Sequence, residues 1–208
     1  RLYLFLNDRS SILEHMARPK LHERDETLRK ALDFFWKNGF SGGSTRELGQ
    51  ALDMHPGSIY SAFGSKEGLC LEVLELYGKQ SHQWFSHCLD EAGFFDGLKM
   101  YLTDVVIDKK HPCTCFVAKT LSSHLESEQN LVERAKELME EFRRELRSRV
   151  EEAQQAGEIG SGVDLEAFAT LVQVQLMGVR SFADSVDERA ALEKAIEEAV
   201  ELLKLAAR

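Results

Sequence analysis

One short segment of the chain gathers residue types that can bind a metal or react with an oxidant. His111, Cys113 and Cys115 lie within the run HPCTC, and His124 follows nine residues later. Two thiols with nearby imidazoles could coordinate zinc or copper, and a thiol beside an imidazole could act as a redox switch. A cysteine is also often a small buried apolar residue. The sequence leaves these three interpretations open, and we expect no resident metal or cofactor.

The position of these thiols favours Cys115 over Cys113 as a reactive group. The spacing of apolar residues predicts a helix over 114–125, so both thiols lie near its start. Unpaired N–H groups at a helix start stabilise a thiolate, and a protonated His111 would add to this effect. Burial in the core would oppose it. The predicted effector or redox residues are therefore Cys113, Cys115 and His111.

An enzyme built on the same segment has little support. A Cys–His hydrolase would use Cys115 as nucleophile and His111 as base, but only their proximity in sequence suggests it. The chain has no Gly-x-Ser-x-Gly, His-Glu-x-x-His or phosphate-loop motif. We therefore predict that the protein is not an enzyme.

The elements upstream of this segment form a different pattern. Apolar spacing predicts helices over 25–38, 45–52, 55–63 and 66–78. Ser44 or Thr45 is suited to cap the second helix, Asp53 and Met54 form a tight turn, and Pro56 suits the first position of the third. Three short helices with so brief a turn between the second and third predict a helix-turn-helix, whose third helix enters the DNA major groove.

Residues 25–77 resemble the DNA-binding domain of the TetR family of transcriptional repressors. The resemblance is carried by Thr45, by Glu47-Leu48-Gly49, by Leu52 and Met54, by Gly68-Leu69, and above all by the run GSIYSAFGSKE at 57–67. It implies an all-α chain, with the helix-turn-helix domain joined by a helix to a C-terminal helical domain that binds an effector and dimerises. It also implies a repressor that leaves a palindromic operator when an effector binds.

Two positions depart from the family pattern. Asp53 stands where the family often has Gly, and Asp tolerates the left-handed backbone that such a turn needs. His55 replaces the usual Ser or Thr cap of the recognition helix, which places the cap hydrogen bond in question. Further along, the run CFVAKT at 115–120 is similar to a segment of one family branch in which some members respond to electrophiles or oxidants through cysteine.

The predicted DNA contacts lie at the starts of the second, third and fourth helices. In similar proteins Tyr60 contacts a phosphate, and Lys66 combines its charge with a helix start, where anions bind well. Arg18, Lys20 and Arg24 could form a basic arm, although a charged tail explains them equally well. The full set of predicted DNA contacts is Thr45, Arg46, His55, Pro56, Gly57, Ser58, Tyr60, Ser61 and Lys66.

Composition separates two regions. The chain of 208 residues has a net charge of −9, and 43% of it is hydrophobic, which excludes a disordered tail. Residues 80–208 hold 15 basic and 24 acidic residues and carry all of that charge, whereas 16–79 are balanced at nine each. Four cysteines are too few for a disulfide framework, and no apolar run is long enough for a membrane span, so we expect a cytoplasmic protein.

The chain is expected to divide into a leader and arm at 1–24, a DNA-binding domain at 25–78 and an effector and dimerisation domain at 79–208. Residues 1–15 match nothing that follows, and Met16 is the more natural first residue. In the C-terminal region, helices are predicted over 80–92, 96–109, 114–125, 128–157, 165–185 and 188–207.

The last two predicted helices carry enough apolar residues to form a dimer interface. Residues 165–185 are apolar on most faces, and 188–207 carry a broad apolar stripe. Two such helices from each subunit would form a four-helix interface, and pairing would double the DNA site. The predicted interface residues are Phe168, Val172, Leu176, Val179, Leu192, Ile196, Val200 and Leu203.

Overall fold

The fold is all-α, as predicted. The computed structural model describes residues 18–108, 113–123 and 128–208, with side chains from Arg24 onward, and these ranges contain no strand. Their helices are α1 (Arg18–Asn38), α2 (Thr45–Leu52), α3 (Pro56–Phe63), α4 (Lys66–Ala92), α5 (Phe94–Val106), α6 (Phe116–Ser122), α7 (Gln129–Gln155), α8 (Leu165–Phe182) and α9 (Arg189–Ala206).

The chain forms two compact units that meet between Leu76 and Tyr77. In the first unit, α1 packs on α2 and α2 on α3, while the start of α4 completes the core. Phe35, Leu48 and Ile59 are fully buried, one from each of the first three helices. This small core fixes the angle between α2 and α3, and so determines which residues the pair exposes.

The second unit is a helical bundle. Helix α7 packs on α6 and α8, and α5 packs on α8 and α9. Its fully buried side chains include Phe85, Leu98, Leu146 and Ile196. Helix α8 begins at an Asp164 cap, whose carboxylate accepts a 2.7 Å hydrogen bond from the Ala167 amide. Helix α8 packs against three helices of the bundle, namely α5, α7 and α9.

Helix α4 is continuous through a position where the sequence predicted a break. The prediction ended one helix at Gly78 and began another at 80, but α4 runs unbroken from Lys66 to Ala92. A Cβ on residue 78 would lie 2.9 Å from Leu138 Cδ2 of α7. The absence of a side chain at Gly78 therefore leaves room for Leu138. The glycine serves helix packing at this position and does not end the helix. As a result, one helix carries residues of both units.

Helix ends elsewhere differ from the prediction by a few residues. Helix α5 begins at Phe94 and not at 96, because Gly93 has a φ of +80° and the Phe94 amide donates to Glu158 Oε2 at 3.0 Å. Helix α6 is shorter than predicted and begins only after Cys115. None of the helices within the described ranges combines the length and apolarity that crossing a membrane requires.

Candidate DNA-binding surface and effector cavity

The start of α2 is held by reciprocal capping. The Ser44 side chain accepts a hydrogen bond from the Glu47 amide at 3.2 Å, and the Glu47 carboxylate accepts from the Ser44 amide at 2.6 Å. These bonds to Ser44 lower the pKa of Glu47 below its ordinary value. The cap predicted at Ser44 or Thr45 is thus Ser44, and Thr45 is the first helical residue.

The turn between α2 and α3 depends on Asp53 and Gly49. Asp53 adopts the left-handed conformation, with φ 54° and ψ 41°, so this departure from the family pattern leaves the turn intact. The Met54 amide donates to the Gly49 carbonyl at 2.9 Å. A Cβ on residue 49 would lie only 2.7 Å from the Met54 carbonyl oxygen. The turn is this tight because residue 49 has no side chain.

His55 caps α3 in place of the usual Ser or Thr. Its Nδ1 accepts a hydrogen bond from the Gly57 amide at 3.2 Å, and Pro56 occupies the first turn as predicted. The cap that the sequence placed in question is therefore present. Because Nδ1 is the acceptor, the Nε2 side of this exposed ring is left to interact outside the helix.

The predicted DNA contacts lie on one accessible surface. Arg46, His55, Gly57, Ser58, Tyr60 and Ser61 are exposed, and Thr45, Pro56 and Lys66 are partly so. The Thr45 hydroxyl lies 3.2 Å from the Tyr60 hydroxyl, which links the start of α2 to the middle of α3. Arg46 makes no ion pair in the described part of the chain. Its charge is thus available to a partner.

Lys66 is less free than the sequence suggested. Its ammonium donates to the Gly43 carbonyl at 2.9 Å and lies 5.1 Å from the centre of the Phe40 ring. An ammonium has three N–H donors, so Lys66 can still donate a hydrogen bond to a phosphate. The same side chain nevertheless links the loop before α2 to the start of α4. Replacing Lys66 would therefore remove this link as well as any phosphate contact.

The proposed basic arm is not supported at Arg24. This residue lies in α1, where its guanidinium pairs with both carboxylate oxygens of Glu72, at 3.1 and 2.5 Å. It also lies 4.5 Å from the centre of the Phe63 ring. These contacts make Arg24 a link between α1 and α4. The side chains of Arg18 and Lys20, like the leader at 1–15, lie outside the described residues.

The second unit contains a cavity lined by residues of α4 to α8. Its empty space is about 490 Å³, a volume that includes open solvent at the mouth. Much of the wall is apolar, with Leu138, Phe142 and Leu176 among its residues. His82 also lines it and pairs with Glu145 at 3.3 Å through Nδ1. Such an apolar cavity with a few polar groups is typical of a small-molecule site.

The main polar group of the cavity is Arg180, which the sequence analysis missed. Its side chain is 7% exposed. It donates from Nε to the Cys113 carbonyl at 2.7 Å, from Nη1 to the Tyr101 hydroxyl at 3.1 Å and from Nη2 to the Tyr77 hydroxyl at 3.0 Å. The available signal was that Arg180 is the one basic residue in the largely apolar segment 165–185, since a charge is rarely buried without a partner.

The ionisation of this cluster is set by burial and by its mutual contacts. Burial opposes the charge on Arg180, but the neighbouring Tyr77, Tyr101 and Cys115 outweigh it and raise the pKa of the guanidinium. Burial also raises the pKa of Tyr77, in spite of the opposing effect of Arg180. At neutral pH the cavity therefore holds a buried cation beside a protonated phenol.

The two thiols of the HPCTC run lie in different surroundings. Cys113 is fully buried, and its sulfur lies 3.8 Å from the Val106 carbonyl oxygen, to which it donates. Cys115 is partly exposed, lines the cavity and hydrogen-bonds with Tyr77. Burial raises the pKa of Cys70 and of Cys88 to about 12. Cys115 is thus the thiol of the four that is partly open to a reagent.

The metal and hydrolase interpretations gain no support. His111 and His124 lie outside the described residues, so neither can be placed beside the thiols. Among the residues that the structure does describe, no three His, Cys, Asp or Glu side chains are grouped as metal ligands would be.

The predicted dimer residues belong to the core of a single chain. All eight, from Phe168 to Leu203, are at most 7% exposed before any partner is present. Their apolar stripes are already covered by α5, α7 and each other. Other residues of the same two helices expose large apolar side chains, namely Val174, Met177, Phe182, Leu202 and Leu205. These residues form the exposed apolar outer face of α8 and α9.

Comparisons with known proteins agree with this architecture. The family described as "Bacterial regulatory proteins, tetR family" matches residues 28–73, and "Tetracyclin repressor-like, C-terminal domain" matches 97–202. The HTH-type transcriptional repressor ComR of Escherichia coli K12 is 26% identical over 197 residues, which are 91% of each chain.

Solved structures extend the similarity to three dimensions. A cysteine variant of the TetR-family regulator CifR, complexed with 26 bp double-strand operator DNA, is 26% identical and gives a TM-score of 0.77 over 93% of this chain and 98% of its own. Reduced NemR of E. coli, at 17% identity, shares the fold with a TM-score of 0.74, over 89% of this chain and 97% of its own. The chain therefore belongs to the TetR family, and it is a DNA-binding transcriptional regulator.

Proposed function

We propose that this protein is a homodimeric repressor that leaves a palindromic operator when its second unit binds a small effector or when Cys115 is modified. The observation that carries the DNA-binding part is the exposed, capped surface of α2 and α3. ComR is a repressor, and CifR has been seen on operator DNA. Both similarities support the same role here.

In the proposed complex, α3 enters the major groove and α2 lies across the phosphate backbone. His55, Gly57, Ser58 and Ser61 would lie nearest the base edges, because they occupy the exposed first turns of α3. Pro56 would pack beside them. Thr45, Arg46, Tyr60 and Lys66 would contact phosphates, which position the protein without reading sequence.

Arg46 offers the sharpest test of a phosphate contact. An operator selected from random duplexes would be titrated against wild type and Arg46→Ala at several salt concentrations. We expect weaker binding and a fall of about one in the slope of log K against log salt. Arg46 is a better choice than Lys66, whose replacement would also break the bond to Gly43. An unchanged slope in a folded Arg46→Ala variant would remove this contact.

The matched variant for Arg46 is Arg144→Ala on α7. Arg144 is also exposed, but it lies in the second unit, so the same loss of charge should leave the salt slope unchanged. Tyr60→Phe tests the neighbouring hydroxyl. It should weaken binding to all operator sequences alike, since a phosphate contact carries no base preference.

The outer face of α8 and α9 is the proposed dimer surface. Apart from Tyr60, the large exposed hydrophobics of the described residues all lie there, and Val174, Leu202 and Leu205 are each more than half exposed. Pairing this face with its copy would bury apolar surface and set two recognition helices about 34–36 Å apart on one side of B-DNA.

Light scattering would test this surface directly. Val174→Glu or Leu202→Glu would place an unpaired carboxylate in the interface, so the dimer should dissociate while the far-ultraviolet CD spectrum stays helical. Ala190→Glu adds the same charge at an exposed position in the first turn of α9 and should leave the dimer intact. Stable dimers of both interface variants would contradict the assignment.

The effector or the thiol reagent would act on the second unit at the cavity. Bulk added to Cys115, or a ligand beside it, would press on Tyr77 of α4, and α4 begins in the DNA-binding unit. Small shifts of packed helices are sufficient to change DNA spacing, because such packing has discrete arrangements.

The thiol route is tested by alkylation. Iodoacetamide should label Cys115 in the folded protein and leave the buried Cys70, Cys88 and Cys113 unlabelled. Labelled wild type should lose operator affinity, whereas treated Cys115→Ser should retain it. Full labelling of Cys115 without loss of affinity would eliminate the thiol route and leave a non-covalent effector as the means of release.

A further inference from the structure

The buried guanidinium of Arg180 has no carboxylate partner in the described part of the chain. Its three hydrogen bonds go to one carbonyl and two hydroxyls, all of them neutral groups. Among the described residues that line the cavity there is no Asp or Glu. A buried cation without a counter-ion is costly, so an anion that entered this cavity would gain an uncompensated electrostatic partner.

The guanidinium also retains hydrogen-bonding capacity. It has five N–H donors, and the three bonds use one on Nε, one on Nη1 and one on Nη2. One donor on each terminal nitrogen remains. Two donors at this separation match the two oxygens of a carboxylate, which is the geometry of the strong bidentate pair.

The rest of the cavity determines what the anion must be attached to. Around the Arg180 end lie the hydroxyls of Tyr77, Tyr101 and Ser81, the last two separated by 3.3 Å. Beyond them the wall is mostly apolar, with Leu138 and Phe142 among its residues, and His82 and Gln173 are further polar groups of the lining. A ligand that satisfies both parts has one anionic end and a compact apolar or aromatic body.

We infer that the effector is a small monocarboxylic acid with an apolar or aromatic body, bound as its anion through Arg180. This inference rests on the proposed function, because it names the chemical class of the effector that the second unit receives. The carboxylate would bind the remaining donors of Nη1 and Nη2, next to the bond from Nη2 to the Tyr77 hydroxyl. Its binding would shift Tyr77 and with it the part of α4 that follows the DNA-binding unit.

The test compares acids with neutral compounds of the same shape. Benzoate, 3-phenylpropanoate and 4-phenylbutanoate would each be titrated by calorimetry against the corresponding primary amide, at one pH and one ionic strength. At least one acid should bind wild type about tenfold or more tightly than its amide, as expected for hydrogen bonds to a charged group. Equal binding of every pair, or no binding by any acid, would overturn the inference.

Two variants locate the binding site. Arg180→Gln should abolish the preference for the acid, whereas Arg144→Gln on the exposed face of α7 should keep it. If Arg180→Gln does not fold, Gln173→Glu gives the answer. Gln173 lines the same cavity, and its replacement by Glu gives up one hydrogen bond, from the amide nitrogen to the Met139 carbonyl. The added carboxylate should weaken binding of the acid and leave binding of the primary amide unchanged. A folded Gln173→Glu or Arg180→Gln variant with an unchanged preference would overturn the inference.

Operator binding separates this inference from the proposed function. The saturating acid should lower operator affinity of wild type by about tenfold or more. An acid that binds without lowering operator affinity would overturn the effector role. A protein that binds its selected operator but no acid would lose only the inference, whereas a protein that binds no operator would lose the proposed function.

Discussion

The two units of this protein hold their functional groups in opposite ways. On the DNA-binding unit, polar groups are exposed and fixed by partners close in sequence, such as the bonds between Ser44 and Glu47 and between His55 and Gly57. In the second unit, Arg180 is buried and bonded to groups 67, 79 and 103 residues away. The first arrangement is encoded locally, and the second exists only once the bundle has formed.

This difference bears on what each unit can vary. A surface held by local caps requires the same residue types at the same spacing wherever it occurs, because each bond depends on the turn beside it. A cavity assembled from separate helices can change its polar group at one position and keep its fold. One family can therefore share a DNA-binding motif and still respond to different effectors.

The strongest way to break the local arrangement is Gly49→Ala. The new Cβ would lie 2.7 Å from the Met54 carbonyl oxygen, and backbone at this turn cannot move without displacing α3. We expect a loss of about 1–3 kcal/mol in the free energy of unfolding, together with loss of operator binding. Urea denaturation and a gel shift would measure the two effects.

Gly57→Ala is the control for that change. Residue 57 is also helical, but its added Cβ would meet only the His55 ring, at 3.4 Å. The Gly57→Ala variant should be as stable as wild type or slightly more stable, because Ala is the better helix former. If both alanine variants were equally stable, tight packing at the turn would not explain the glycine at residue 49.

A smaller effect is expected from Ser44→Ala, which removes the cap of α2. Loss of such a cap typically costs about 1 kcal/mol at neutral pH. Part of this cost depends on pH, because the variant loses the bond from the Ser44 hydroxyl that helps to lower the pKa of Glu47, whereas the larger effect, from the amide of residue 44, remains. Stability from a lowered carboxyl pKa is present above the unfolded value of 4.5 and is lost as the pH falls through the folded value.

The stability difference between wild type and Ser44→Ala should therefore shrink on acidification below pH 4.5. Denaturation curves at pH 7 and at successively lower pH would follow it. Thr45→Ala is a suitable control, because Thr45 lies next to the cap without forming it. A difference that stayed constant with pH would mean that the Ser44 hydroxyl does not contribute to the lowered pKa of Glu47.

The same contrast explains which features could be predicted from sequence. Helices α2 and α3 end where predicted, and the left-handed Asp53 was foreseen, because caps, turns and Pro56 act on their immediate neighbours. Features that depend on tertiary contacts were harder to predict. Arg24 looked like part of an arm because its partner Glu72 is 48 residues away. Arg180 was missed because its three partners lie on other segments.

The apolar stripes of α8 and α9 show a further limit. Periodicity identifies an apolar face but does not say whether the same chain or a second subunit covers it. Phe168 and Leu203 proved to be intrachain core, whereas Val174 and Leu202 remain exposed. In the sequence the exposed positions belong to the same apolar pattern as the buried ones, and only the packed bundle distinguishes the two sets.

The smallest effect is expected from Gly78→Ala, which probes long-range packing. As at Gly49, the added Cβ would be crowded, 2.9 Å from its nearest neighbour. Here the neighbour is Leu138 Cδ2, the end of a side chain that can rotate, and not backbone. The gain of about 1 kcal/mol from replacing glycine within a helix should offset much of the strain, so the free energy of unfolding should change by less than about 1 kcal/mol. Denaturation of Gly78→Ala beside Gly49→Ala would measure this difference, and a loss at residue 78 as large as that at 49 would show that α4 and α7 are packed as rigidly as the α2–α3 turn.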